Sequence, residues 1–195
     1  MTDNKKILDY IEENLSEKRK IHTYNVKDTA VLLAKKYGEN VDNTIKAALY
    51  HDLFRGRELD VINYYVNKYN LNKKYLNNAN LAHGKIAAEM IKREFNETNE
   101  DIINAVSFHT TGRYGMSKLE KIIFIADAIE PGRDYPIVNE LRKLVSEDLD
   151  EACLLSIKKT IEFVKSENKF LDPDTIEAQK YFEELTAEKE KQNNR

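Results

Sequence analysis

The chain reads as an all-α protein folded as one helical bundle, and three observations predict this. Only six glycines and three prolines interrupt 195 residues. Apolar residues recur at steps of three and four almost throughout, while the period-two alternation of half-buried strands is nearly absent. Hydrophobic residues make up 41%, enough to fill one sizeable core in a chain of single-domain length. No repeat, low-complexity tract or linker divides the sequence.

The first helix is expected over residues 4–14. A second covers 17–37 and stops at Gly38, which has no Cβ to oppose a left-handed cap. The third spans 42–54, ahead of Gly56. Residues 58–78 give a short helix on Leu59, Ile62, Tyr65, Val66 and Tyr69, then an Asn- and Lys-rich loop. Another helix opens near His83 and reaches Phe95, and the next spans 99–109. Thr110 to Gly115 form a loop. Ser117 and Glu120 have the spacing of a capping box, and the helix they start ends at Pro131. Helices over 136–145, 148–167 and 173–187 follow. Asp172-Pro173 places an N-cap and a first-turn proline at the start of the last one. The polar stretch after Leu185 is expected to fray.

Charge narrows the function classes. A third of the residues are charged, but the net charge is only −3. No basic field supports general nucleic-acid binding or attachment to an anionic membrane surface. No stretch approaches the roughly 20 apolar residues of a membrane helix, and the first residues lack the apolar core of a secretory leader. A cytoplasmic location is the expectation. Cys153 is the one cysteine, so no intrachain disulfide forms, and its helical stretch marks it as a small core residue. Apolar positions on the C-terminal helices leave a homodimer open.

The four histidines carry the chemistry. His22, the pair His51-Asp52, His83, His109 and finally Asp127 form one ordered set, with no histidine left over. His22 shares a helical stripe with Val26, Ala30, Leu33 and Tyr37. Ala47 and Ala48, one turn back, put His51 and Asp52 on a buried side. His83 leads into Ile86, Ala87, Met90 and Ile91, and His109 follows Ile102, Ala105 and Val106. Asp127 sits in Ile122-Ile123-Phe124-Ile125-Ala126-Asp127-Ala128-Ile129, a stretch apolar all round. An ionised carboxylate buried there costs several kcal/mol unless it meets positive charge. Six inward-facing ligand types on five helices make a metal ion the economical source of that charge.

The ordered H…HD…D set resembles the HD-domain superfamily of metal-dependent phosphohydrolases. Further motifs resemble the YqeK family within it: Arg19-x-x-His22, His51-Asp52-x-x-Arg55, Leu81-Ala82-His83-Gly84, His109-Thr110-Thr111-Gly112-Arg113 with Gly115-Met116-Ser117, Ala126-Asp127-x-Ile129-Glu130-Pro131-Gly132-Arg133-Asp134, and Pro173-Asp174-Thr175. They span roughly residues 16–178. The resemblance thus divides the chain into an N-terminal helix over 1–15, an HD phosphohydrolase domain over 16–178, and the end of the last helix with a polar tail over 179–195. Two departures stand out: Arg55 where the family usually has lysine, and Asp172 where it often has histidine before Pro-Asp-Thr.

The resemblance implies a symmetrical bis(5′-nucleosyl)-tetraphosphatase, which cuts diadenosine tetraphosphate into two ADP and carries iron. His22, His51, Asp52 and Asp127 would hold one ion. His83 and His109 would complete a second site with Asp52 bridging, so that Asp52, His83 and His109 are the catalytic set. A metal-bound hydroxide would attack phosphorus. Arg55, Arg113 and Arg133 are the expected phosphate ligands, supported by Thr110, Thr111, Gly112, Arg19, Asn25 and Thr175. Ligand type alone leaves manganese and zinc beside iron. Dinucleoside polyphosphate or nucleoside diphosphate is the expected partner. Two alternatives stay open: an HD phosphohydrolase acting on another nucleotide, and a nucleotide-binding protein with a structural metal.

Overall fold

The computed structural model describes residues 2–193. Ten α-helices account for the fold among these residues, with one 3-10 turn over Lys73–Tyr75 and no strand. They are α1 (Thr2–Asn14), α2 (Glu17–Tyr37), α3 (Val41–Tyr50), α4 (Leu59–Lys68), α5 (Ala79–Glu94), α6 (Glu100–Phe108), α7 (Lys118–Ile129), α8 (Val138–Leu144), α9 (Leu149–Ser166) and α10 (Pro173–Asn193). Helix α7 is the axis of the bundle. It packs against α2, α3, α6, α8 and α9, and so buries Leu119, Ile122, Ile123, Phe124, Ile125 and Ala126. A helix apolar on all sides has to lie at such a centre.

Local chemistry sets most helix ends. Gly38 closes α2 in the left-handed region at φ 65° and returns its N–H to the Ala34 carbonyl. The Ser117–Glu120 capping box is present at the start of α7. Asp172 caps α10 by accepting from the Asp174 amide at 3.0 Å.

Three boundaries differ from the sequence expectation. Helix α3 stops at Tyr50 rather than Phe54. The His51 ring reaches back to the Ala48 carbonyl at 2.6 Å, the group a continuing helix would offer to the Asp52 amide. The chain then tightens into i to i−3 turns, Leu53 to Tyr50 and Arg55 to Asp52, which free the His51-Asp52 pair from a regular helix. Helix α5 begins a full turn before His83, because the Asn78 side chain accepts from the Leu81 amide and starts it early. The last helix does not end at residue 187. Helix α10 runs to Asn193, and Lys189 ties it to Asp148 at 2.7 Å and Asp150 at 3.0 Å, on the first turn of α9.

Cys153 is fully buried in α9, and burial pushes its thiol pKa up. A thiolate is the reactive species. Native protein is therefore expected to resist alkylation by iodoacetamide, with one cysteine labelled only after unfolding; mass spectrometry of both states checks this.

Candidate metal centre

Five segments deliver the six predicted ligands to one place. His22 comes from the second turn of α2, His51 and Asp52 from the tightened end of α3, and His83 from the second turn of α5. His109 is the C-cap of α6, and Asp127 lies in the last turn of α7. Asp52 is the hub. Its Oδ1 lies 3.1 Å from His83 Nε2 and 3.8 Å from His109 Nε2. Its Oδ2 lies 3.6 Å from His22 Nε2 and 3.8 Å from His51 Nε2. Asp127 Oδ1 adds a contact of 3.1 Å to His22 Nε2. The ligand atoms of His22, His51 and Asp52 fall within 4.8 Å of one another, and so do those of Asp52, His83 and His109.

The far side of each ring fixes its tautomer. His51 Nδ1 faces the Ala48 carbonyl at 2.6 Å and His109 Nδ1 the Val106 carbonyl at 2.7 Å. His22 Nδ1 faces Glu130 Oε1 at 3.2 Å. An acceptor at Nδ1 places the proton there and turns the Nε2 lone pair inward, the usual outer-sphere arrangement of metal-binding histidines. His83 is the exception: its Nδ1 stands between the Ala79 carbonyl at 3.2 Å and the Arg55 guanidinium at 3.3 Å.

His83 Nε2 approaches His109 Nε2 at 3.0 Å, a hydrogen bond when Arg55 donates to His83 Nδ1 and the His83 proton sits on Nε2. Inward lone pairs confront each other at His22 and His51, which each have Nδ1 on an acceptor and bring their Nε2 atoms to 3.4 Å. Two such lone pairs cannot bond to one another. A cation between them satisfies both, and donor atoms in one coordination shell lie about 3 Å apart. The donor set therefore fits a divalent metal.

Charge balance agrees. Burial opposes ionisation of Asp52, but His51, His83 and His109 hold its carboxyl well below the usual range. Burial likewise opposes Asp127, and His22 and Arg133 outweigh it, keeping that group ionised. Burial lowers the His51 pKa, and burial with its histidine neighbours takes His109 down to about 3. Burial also pulls on His22, yet Asp127, Asp52 and Glu130 raise it. His51 and His109, held neutral beside ionised carboxylates, are in the protonation states that metal ligation requires, and a bound cation would displace the proton that the carboxylates favour on His22.

Asp127 departs from the sequence picture. The stretch around it is apolar, but its side chain is 22% exposed and lines a cavity of about 240 Å³ with Arg19, Asp52, Arg55, Asn80, His83, His109, Thr110 and Arg133. Arg133 pairs with the Asp127 carboxylate and donates from Nε to its carbonyl at 2.8 Å. Arg19 Nη1 reaches Asp52 Oδ2 at 3.2 Å. Arg19, Arg55, Arg133 and Thr110 thus stand at the cluster as the sequence suggested, with Thr110 Oγ1 3.2 Å from His109 Nε2.

Other predicted contacts point elsewhere. Arg113 forms a two-pronged pair with the buried Glu120, at 2.7 and 2.6 Å, and lies over the Phe108 ring; sequence adjacency to His109 does not fix the direction of so long a side chain. Thr111 is buried and donates to the Gly112 carbonyl. Gly112 takes φ 65° against Ala178 and Met116, so its lack of a side chain serves the packing of α10. Thr175 is buried, with its amide on the Asp172 carbonyl. Asp172 is committed to Lys74 at 2.7 Å. Asn25 sits one turn beyond His22 but donates to Glu130 Oε2 at 3.0 Å.

Glu130 carries the role that sequence reasoning missed. It closes α7, is buried, and holds both His22 and Asn25. The one signal was an acidic residue directly after an apolar run. Glu130→Gln is expected to weaken metal affinity about tenfold, since the amide no longer increases the basicity of His22; metal titration of both forms measures it.

The comparisons fit this geometry. Residues 19–132 match the model of the HD domain, so fold and site together define an HD-domain protein. The chain is 37% identical to "Bis(5′-nucleosyl)-tetraphosphatase, symmetrical" of Bacillus subtilis (strain 168), over 85% of this chain and 90% of that protein. The Staphylococcus aureus protein of the same name is 32% identical over 88% of this chain and 90% of its own length. Among solved structures, a Clostridium acetobutylicum protein described as a predicted HD superfamily hydrolase involved in NAD metabolism superposes with a TM-score of 0.88. It is 42% identical, and the match covers 93% of this chain and 97% of that one. The chain belongs to the HD-domain family of symmetrical bis(5′-nucleosyl)-tetraphosphatases.

Proposed function

We propose that this protein is a metal-dependent hydrolase that cuts diadenosine tetraphosphate symmetrically, water adding to one inner phosphorus as the central anhydride bond breaks and two ADP leave. The observation that carries the reading is Asp52, one carboxylate shared between two histidine pairs beside a cavity that three arginines line. His22, His51, Asp52 and Asp127 are suited to one ion, and His83, His109 and Asp52 to a second; the family resemblance favours iron, while imidazole with carboxylate also accepts manganese or zinc. Such ions, when bound, supply Lewis acidity and bring the pKa of a water toward neutrality.

The protein's own groups do the rest. Arg19 and Arg133 rest on Asp52 and Asp127, and their remaining N–H groups are free to turn to phosphoryl oxygens. Arg55 adds a planar fork, not the point charge of a lysine, and so favours two-pronged phosphate contacts. Thr110 offers a hydroxyl at the rim. A side-chain nucleophile is unnecessary, and Cys153 stays in the core.

Product analysis tests the reading. Diadenosine tetraphosphate incubated with the metal-loaded protein is expected to yield ADP alone on ion-exchange chromatography. AMP with ATP in equal amounts, or no turnover, would overturn it.

A further inference from the structure

A second cavity adjoins the cluster at His22. It measures about 370 Å³ and lies between α2 and the chain after α7, lined by Lys18, Ile21, Asn25 and Tyr135 among others. Arg19 and Arg133 line this cavity and the smaller one alike. Both arginines are anchored on cluster carboxylates, so they stand as a shared wall between two spaces, with the imidazoles of His83 and His109 on one side and that of His22 on the other.

We infer that the larger cavity holds one nucleoside half of a dinucleoside polyphosphate, the phosphate chain passing along Arg19 and Arg133 to the other half in the smaller cavity. This rests on the hydrolase reading above. A tetraphosphate cut at its centre carries an equal nucleoside diphosphate on each side of the broken bond, so the site needs room in both directions.

The walls suit a nucleoside. Ile21, next to His22, is 62% exposed, a large apolar side chain left at a cavity rim. Tyr135 is half-buried, and its hydroxyl donates to the Ala128 carbonyl at 2.6 Å. That bond holds the ring still, which makes it a preorganised stacking surface for a base. Lys18, one turn before His22, adds positive charge near the diphosphate.

Inorganic tetraphosphate has the same four phosphates and no nucleoside, and a central cut with one water converts it to two pyrophosphates. Ile21→Asn and Tyr135→Ala should each raise KM for diadenosine tetraphosphate about tenfold, the loss of one good apolar contact. KM for inorganic tetraphosphate should stay within twofold of wild type. Ile21→Asn changes an exposed side chain, so it tests the cavity even where Tyr135→Ala disturbs the fold, and circular dichroism monitors both. Equal KM changes for the two substrates, or none for either, would overturn the inference while leaving the hydrolase reading intact. A wild-type protein inactive on both substrates would overturn the hydrolase reading and this inference together.

Discussion

Asp52→Asn is expected to lower kcat/KM for diadenosine tetraphosphate by roughly 1000-fold with helix content unchanged, the several kcal/mol that a metal site contributes to charge stabilisation. The substitution keeps the shape of the side chain and removes its charge. One oxygen also becomes an N–H donor. Because Oδ1 faces His83 and His109 while Oδ2 faces His22 and His51, either orientation of the amide turns a donor toward one histidine pair. One half of the cluster then meets a donor, and the other loses the charge of the carboxylate. Arg19 also loses its ionic partner. Kinetics, metal content and far-ultraviolet circular dichroism on the same preparation check this. Wild-type kcat/KM in Asp52→Asn would remove the hub role.

Gly84→Ala is expected to cost roughly 100-fold in kcat/KM, in line with a misplacement of about 1 Å at a reacting site. Helix propensity alone argues the reverse, because alanine inside a helix is favoured over glycine by about 1 kcal/mol. Space decides the matter. A Cβ at residue 84 would lie 2.9 Å from His109 Cε1, 3.0 Å from the Val106 carbonyl oxygen and 3.1 Å from His109 Nδ1. Those atoms are the ring and the carbonyl that sets its tautomer. A methyl group pushes both, in a region where α5 and α6 are packed face to face. Steady-state kinetics with a thermal melt separates the two effects. Full activity with a raised Tm would show that the ring is free to move.

The convergence of the six candidate ligands was legible because each histidine lies at helical steps from buried apolar residues, and a stripe fixes which way a short side chain points. The core was legible for the same reason, with α7 apolar on all faces. Directions of long side chains were not. Arg113 follows the candidate ligand His109 closely, yet turns to Glu120, whose place in a capping box said nothing of its second use. The environment of Asp127 also depends on tertiary packing: neighbouring residues on α7 are buried by other helices, while its own carboxylate opens onto the cavity. Glu130 shows the same limit, since its partner His22 is 108 positions away. The length of α10 was missed because polar composition suggested fraying, and the cross-helix pairs of Lys189 leave no local pattern.

The histidine–aspartate cluster is suited to work through a bound divalent metal. Hydrolysis of diadenosine tetraphosphate by chelator-stripped, desalted protein of verified metal content tests it most directly. The stripped protein is expected to form no ADP and to recover on adding back iron(II) or manganese(II), with one or two ions bound per chain. Undiminished ADP formation by protein shown by elemental analysis to be metal-free would contradict it.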